Sequence, residues 1–172
     1  MDLRGFIREI PDFPREGIRF RDITPLLLQA GALDRAVSAL AESVSAAGVD
    51  FVVAAEARGF ILGAALAREL GAGFVPARKP GRLPAETIAA EYALEYGLDA
   101  LEVHADALAG GARVLIHDDL LATGGTAGAL CELATGLGAE IVGCAFLIEL
   151  RALGGREALA PRTVHSVIEY AD

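Results

Sequence analysis

Positive charge is scarce in this 172-residue sequence and lysine is nearly missing: 15 Lys and Arg face 24 Asp and Glu, the formal net charge is −9, and Lys79 is the sole lysine. Affinity for a nucleic-acid backbone comes from clustered Lys and Arg, so no nucleic acid is expected as a partner. Long hydrophobic runs are lacking as well. Glu56 and Arg58 interrupt the best candidate for a span, and no membrane association is expected. Met1 to Ile10 mix Asp2, Arg4, Arg8 and Glu9 among apolar residues, which does not read as a signal peptide. Cysteine is limited to Cys131 and Cys144, in apolar helical and strand-like contexts without metal-ligand spacing, as expected of two buried thiols in a reducing cytoplasm. Neither a Walker A lysine nor a dinucleotide Gly-x-Gly-x-x-Gly occurs. Repeats, low-complexity tracts and linkers are absent too. With 53% hydrophobic side chains, residues 1–172 suit one domain with a full core.

What is present alternates between helical and strand patterns, as an α/β fold requires. Leu3 to Ile10 suggest a short amphipathic helix, and Pro11 to Pro25 a proline-punctuated arm, so residues 1–33 read as an N-terminal extension. Asp34 is placed to cap a helix running to about Ala47, whose apolar stripe is Ala36, Val37, Leu40 and Val44. Phe51 to Ala55, Gly59 to Leu70 and Gly73 to Ala77 form a strand–helix–strand crossover. Thr87 to Tyr96 and Asp99 to Val103 alternate weakly, like an exposed hairpin, and residues 79–103 read as a mobile flap. Strands at Arg113 to Ile116, Ile141 to Leu147 and Val164 to Ile168, with a short helix near Arg156 to Leu159, complete a mainly parallel twisted sheet flanked by helices. Ligands gather at the carboxyl ends of such strands.

Chemistry concentrates in Val114-Leu115-Ile116-His117-Asp118-Asp119-Leu120-Leu121-Ala122-Thr123-Gly124-Gly125-Thr126. Here an apolar strand runs into two acids and a small-residue loop, and Thr126 to Leu137 then read as a helix whose positive end faces the loop. Unobstructed amides and two hydroxyls suit an anion. The carboxylates of Asp118 and Asp119 repel a bare phosphate, so their partners are sugar hydroxyls or Mg2+. Phosphate, ribose and metal together point to a phosphorylated sugar. His117, alternating away from Asp118, reads as a packed or interface histidine.

This segment resembles the 5-phosphoribosyl 1-pyrophosphate (PRPP) motif of the type I phosphoribosyltransferases: apolar strand, two acids, two variable residues, then small-Thr-Gly-Gly/Lys-Thr. Four further segments narrow the resemblance to the adenine-specific branch from about Ile10 onward. They are Asp12-Phe13-Pro14 with Gly17 and Phe20-Arg21-Asp22-Ile23-Thr24-Pro25-Leu26-Leu27; Ala55-Glu56-Ala57-Arg58-Gly59-Phe60; Arg78-Lys79-Pro80-Gly81-Arg82-Leu83-Pro84; and Leu94-Glu95-Tyr96-Gly97. The resemblance implies the type I fold with a base-binding arm and a hairpin flap. It implies transfer of the phosphoribosyl group from PRPP to adenine N9 with Mg2+, in purine salvage.

Roles are implied residue by residue. Ala122, Thr123, Gly124, Gly125 and Thr126 match the 5-phosphate loop; Asp118 and Asp119 match the acids serving ribose and its magnesium environment. Arg58, Arg78, Lys79 and Arg82 match basic residues at pyrophosphate, some supplied across a homodimer interface. The Glu56–Ala57 bond falls where the family often has a non-proline cis peptide, although Asp-Ser is the more familiar pair. Arg19, Phe20 and Arg21 match the base-recognition arm, with backbone groups reading the amine and N1 of adenine. Phe20 and Leu120 match the pair that sandwiches the ring. Arg19 stands where an aliphatic residue is usual, which an outward-pointing side chain tolerates. Glu95 matches the catalytic glutamate that exchanges a proton at adenine N7. A 6-oxopurine enzyme needs a lysine downstream of the PRPP motif, and none follows Lys79. A PRPP-sensing regulator needs a DNA-binding appendage, which an acidic single domain lacks.

Overall fold

In a computed structural model the described residues are 2–94 and 97–171, the Leu94 side chain excepted. Five apolar segments form one parallel sheet in the order β4-β3-β7-β8-β9. These strands are β3 (Phe51–Ala55), β4 (Gly73–Ala77), β7 (Arg113–Leu121), β8 (Glu140–Leu150) and β9 (Val164–Tyr170). Their continuous Val, Ile, Leu and Ala runs follow from cover on both faces. On one face, α2 (Ala30–Val44) and α3 (Arg58–Leu70) bury Leu40, Leu62 and Leu66 against Leu115, Ala145 and Leu147. On the other, α4 (Gly125–Gly136) buries Leu130 and Leu133 against Val114, Ile116 and Phe146. Leu62 and Leu66 are 0% exposed, and burying each contributes about 1.5–3 kcal/mol. Close approach of α3 to the sheet depends on Gly63, where a Cβ would lie 3.0 Å from Ala54 Cβ and 3.1 Å from the Phe74 ring.

Several element ends depart from the local sequence pattern, the arm through pairing across distance and α2 through local bonds. Leu3 to Ile10 is no helix: Leu3–Phe6 makes one 3-10 turn, and β1 (Arg8–Ile10) pairs antiparallel with β2 (Phe20–Asp22), which lies inside the expected irregular arm. An Arg8–Asp22 ion pair of 2.9 Å secures that pairing. A short α1 (Thr24–Leu27) follows, with Pro in its first turn. Helix α2 starts at Ala30 instead of at an Asp34 cap, because the Gln29 carbonyl accepts the Ala32 and Leu33 amides at 2.9 Å. It ends at Val44, short of Ala47.

Strand β7 does not stop at Ile116. Pairing of Asp118 with Phe146, Leu120 with Ile148 and Leu121 with Glu149 carries it through both acids, so they stand on a strand end. The hairpin β5 (Thr87–Leu94) and β6 (Gly97–His104) exists, but it is not simply exposed. Its inner residues Ala90, Leu101 and Val103 are buried in the core that holds α4. Thus one face of the hairpin roofs the start of α4.

Candidate active site

Strand β7 delivers the chain to a turn at Ala122–Gly124, and Gly124 adopts φ 87° to start α4. A positive φ is strained for most side chains, which accounts for glycine there. The first helical bond of α4 runs from the Gly128 amide to the Gly124 carbonyl at 2.8 Å. The amides before it have no helical acceptor, and the helix dipole adds positive potential at the same point. A cavity of about 170 Å³ opens there, lined by Arg58, Asp118, Asp119, Leu120, Leu121 and the whole Ala122–Ala127 stretch. Gly125 leaves room for the hairpin: a Cβ would stand 3.3 Å from the Ala93 carbonyl oxygen.

The two acids close one side. Asp118 Oδ1 accepts the Asp119 amide at 2.9 Å, and Arg58 Nε lies 3.2 Å from Asp119 Oδ2. Burial pushes both carboxyls above the usual range; repulsion from Asp119 adds to the rise at Asp118, and Arg58 partly opposes it at Asp119. Asp119 is 2% exposed, and the Arg58 approach is too oblique for a hydrogen bond, so its Oδ2 has no donor among the described residues. A buried acceptor left in this state wants a hydroxyl, a water or a cation. The described residues hold no cluster of three metal-ligating side chains. Mg2+ therefore fits only in its common manner, with one or two carboxylates while substrate oxygens and water complete its shell. Gly59 was part of the quoted motif but was given no role: a Cβ there would meet Asp118 Oδ1 at 2.8 Å, so α3 must start with a bare backbone beside the acid.

A second cavity of about 360 Å³ shares Arg58, Asp118, Asp119 and Thr126 with the first, and adds Glu56, Lys79 and Tyr92. Of the four basic residues singled out in the sequence, Arg58 and Lys79 therefore meet at the site. Arg78 and Arg82 line neither cavity; Arg78 bonds Glu56 Oε2 and the Arg82 carbonyl, each at 3.2 Å. Lys79 Nζ is held by Asp99 and lies 3.3 Å from Tyr92 Oη, both on the hairpin. The Glu56–Ala57 bond is cis. Glu56 Oε1 accepts the Lys79 amide at 2.6 Å, and that bond and Arg78 hold its carboxyl below the usual range. Glu56, Tyr92 and Asp99 were missed as organisers of the basic turn. The available signal was an acid two residues before Arg58 and an acid and a tyrosine flanking the hairpin tip.

In the arm, Phe20 packs edge-on against Phe13 and lies 5.0 Å from the Arg58 guanidinium, on the side of the cavities. Leu120 lines the phosphate-sized cavity. The Arg19 and Arg21 side chains instead border a third cavity of about 390 Å³ with Ile18, Leu150 and Leu153. Arg21 pairs with Glu9 and stacks 3.9 Å over Tyr170, while Arg19 lies 3.6 Å from Glu9. Alternation along β2 separates Arg21 from Phe20, and Arg19 precedes the strand. Glu95, with Tyr96, lies outside the described residues. His117 is a packed histidine, not an interface residue: fully buried, its Nδ1 donates to the Ala145 carbonyl at 2.9 Å. Burial lowers its pKa to about 4, so the ring is neutral.

A sugar-phosphate cradle at the carboxyl end of a parallel strand defines a class, and the comparisons agree: the phosphoribosyl transferase domain matches residues 27–168, so the chain belongs to the phosphoribosyltransferase family. The adenine phosphoribosyltransferase of Pseudothermotoga lettingae is 54% identical over 170 residues, spanning 99% of this chain and 100% of the relative. That places the chain among the adenine phosphoribosyltransferases, which are pentosyltransferases. The crystal structure of the Thermoanaerobacter pseudethanolicus adenine phosphoribosyltransferase superposes with a TM-score of 0.96 at 50% identity, covering 98% of both chains. That of the Saccharomyces cerevisiae enzyme, complexed with an imino-altritol bisphosphate and adenine, gives 0.91 at 39% identity over 96% of both. The type I fold expected from the sequence is present.

Proposed function

We propose that the chain transfers the 5-phosphoribosyl group of PRPP to N9 of adenine, giving AMP and pyrophosphate in purine salvage. The observation that carries this reading is the pair of cavities joined through Arg58, Asp118, Asp119 and Thr126. One is sized for a phosphate, and its neighbour has room for a second anionic group beside Lys79. The amides and hydroxyls of Ala122 to Thr126 hold the 5-phosphate, and Asp118 and Asp119 accept the ribose hydroxyls. Arg58 and Lys79 neutralise charge that builds on pyrophosphate as the C1–O bond breaks. Asp118 and Asp119 would hold Mg2+ directly, through water or through the ribose hydroxyls, and the ion would supply further neutralisation of the leaving group's charge.

Adenine enters between Phe20 and Leu120, its amine and N1 read by backbone groups of Arg19 to Arg21. Because those two arginine side chains point to the opposite side, the arm presents backbone and one ring to the base. Glu95 exchanges the N7 proton as N9 becomes nucleophilic, and hairpin closure excludes water that hydrolyses PRPP. Arg78 and Arg82 act across a homodimer interface. The enzyme works in the cytoplasm, where Cys131 and Cys144, both buried and unpaired, stay reduced. Pyrophosphate release with each nucleobase in turn tests the substrate assignment, and sedimentation of the active enzyme tests the dimer.

A further inference from the structure

Behind the phosphate loop stands a second glycine turn that no role has yet absorbed. Gly155 opens α5 (Gly155–Ala158) with its backbone flat against the loop. A Cβ on Gly155 would fall on the Ala122 carbonyl oxygen and 2.7 Å from Leu121 Cδ1. From the other side, a Cβ on Gly124 would come within 3.0 Å of the Gly155 carbonyl oxygen. Two backbones in contact transmit any shift of one to the other, since a packed interior has no slack.

The neighbouring side chain fixes where that turn lies. Arg156 makes a two-pronged contact with Glu149, Nε to Oε1 at 3.0 Å and Nη2 to Oε2 at 2.5 Å, and its Nη1 donates to the Val164 carbonyl at 2.7 Å. Glu149 is 2% exposed on β8, directly beside Leu121 of β7, and also accepts from Ser166. Burial alone would push its carboxyl up, but the bonds from Arg156 and Ser166 with the charges of Arg156 and Arg151 hold it below the usual range. The guanidinium fork thus ties α5 at once to β8 and to β9. A planar fork on a carboxylate sets direction as well as distance, which a lysine cannot reproduce.

We propose that Arg156 is a positioning residue for the 5-phosphate: through Glu149 it pins the Gly155 turn, and the Gly155 backbone holds the Ala122–Gly124 turn in the shape that receives PRPP. This rests on the assignment of Ala122–Thr126 as the phosphate loop. Arg156 lines neither of the two cavities at the acids, so its action on PRPP runs through the loop backbone.

The test measures PRPP and adenine KM, kcat, AMP affinity by calorimetry and thermal melting for the wild type, Arg156→Ala, Arg156→Lys, Gly155→Ala and Thr126→Val. Displacing a binding group by about 1 Å costs up to about 100-fold. Arg156→Ala is therefore expected to raise PRPP KM and AMP Kd on the order of tenfold or more, with adenine KM and saturated kcat within about threefold. Arg156→Lys falls between it and the wild type, and Gly155→Ala reproduces the loss. Should Arg156→Ala not fold, Arg156→Lys and Gly155→Ala decide the matter. Wild-type AMP affinity in the folded Arg156 variants overturns the proposal, as does an equal rise in both KM values accompanying a lower melting temperature. Weakening by Thr126→Val without weakening by the Arg156 variants refutes the positioning role alone; no effect of Thr126→Val removes the phosphate loop and the proposal with it.

Discussion

The phosphoribosyl half and the base half of the site are built from different materials. The first is the carboxyl end of β7, a central strand with neighbours on both sides, and its loop is wedged backbone to backbone against Gly155. The second combines two small antiparallel pairs at the periphery, β1 with β2 in the arm and β5 with β6 in the roof. The loop proposed for the phosphate is thus fixed by the packing of the central sheet, whereas the arm and hairpin proposed to serve the base belong to separate two-stranded sheets, the hairpin resting its inner face on α4. The division suits the reaction. A sugar phosphate needs a rigid array of donors, and the base and its general acid–base group need a path in and out.

Substitutions in the two halves should therefore fail differently. The largest effect is expected on the peripheral side, at Glu95. Glu95→Gln keeps size and hydrogen bonding but not basicity, so single-turnover AMP formation should slow by on the order of 10²–10⁴-fold while PRPP and adenine affinities barely change. A near-normal chemical rate would move the acid–base role off the hairpin.

Next comes the core side, through His117. Its folded pKa of about 4 lies below the ordinary 6.5, so between those values the unfolded chain binds more protons than the native one. Stability from this group is complete above about pH 6.5 and is lost as pH falls toward 4, by about 3 kcal/mol at 1.36 kcal/mol per unit. Chemical denaturation across that window should be steeper for the wild type than for His117→Asn. Parallel curves would show that burial of the neutral ring carries no such linkage.

Thr126→Val should weaken AMP and PRPP by about 10- to 150-fold, since a hydrogen bond to a charged group contributes about 1.5–3 kcal/mol, and should leave circular dichroism and adenine KM unchanged. The smallest effect is expected at Arg19. Arg19→Ala removes the side chain of a residue at the third cavity, apart from the two cavities at the acids, and keeps the backbone proposed to read adenine, so adenine KM should stay within about twofold. A large rise would mean that the side chain itself meets the base, and the contrast between a peripheral arm that offers only backbone and a phosphate loop held in the central packing would lose half its support.

Much of the phosphoribosyl half was legible because its chemistry is contiguous: strand, acids, loop and helix follow one another from Val114 onward. Resemblance also located Arg58 and Lys79 at the cavity and the cis bond after Glu56. What local periodicity does not encode is pairing across distance. The extension of β7 through Asp118 depends on Phe146 and Ile148, and β1 exists because Arg8 meets Asp22. The hairpin looked exposed because alternation marks an apolar face without saying that α4 will cover it. The bonds of Glu56 to the Arg78–Lys79 turn, of Asp99 to Lys79 and of Arg156 to Glu149 join separate elements, so no spacing rule announces them.

A rigid PRPP cradle paired, as proposed, with an arm that reads adenine through its backbone must discriminate between purines. Pyrophosphate release from PRPP and Mg2+, followed with adenine, hypoxanthine and guanine side by side, tests it most directly. Rapid release with adenine and little with either 6-oxopurine is the predicted result. Turnover of hypoxanthine comparable to that of adenine would contradict it.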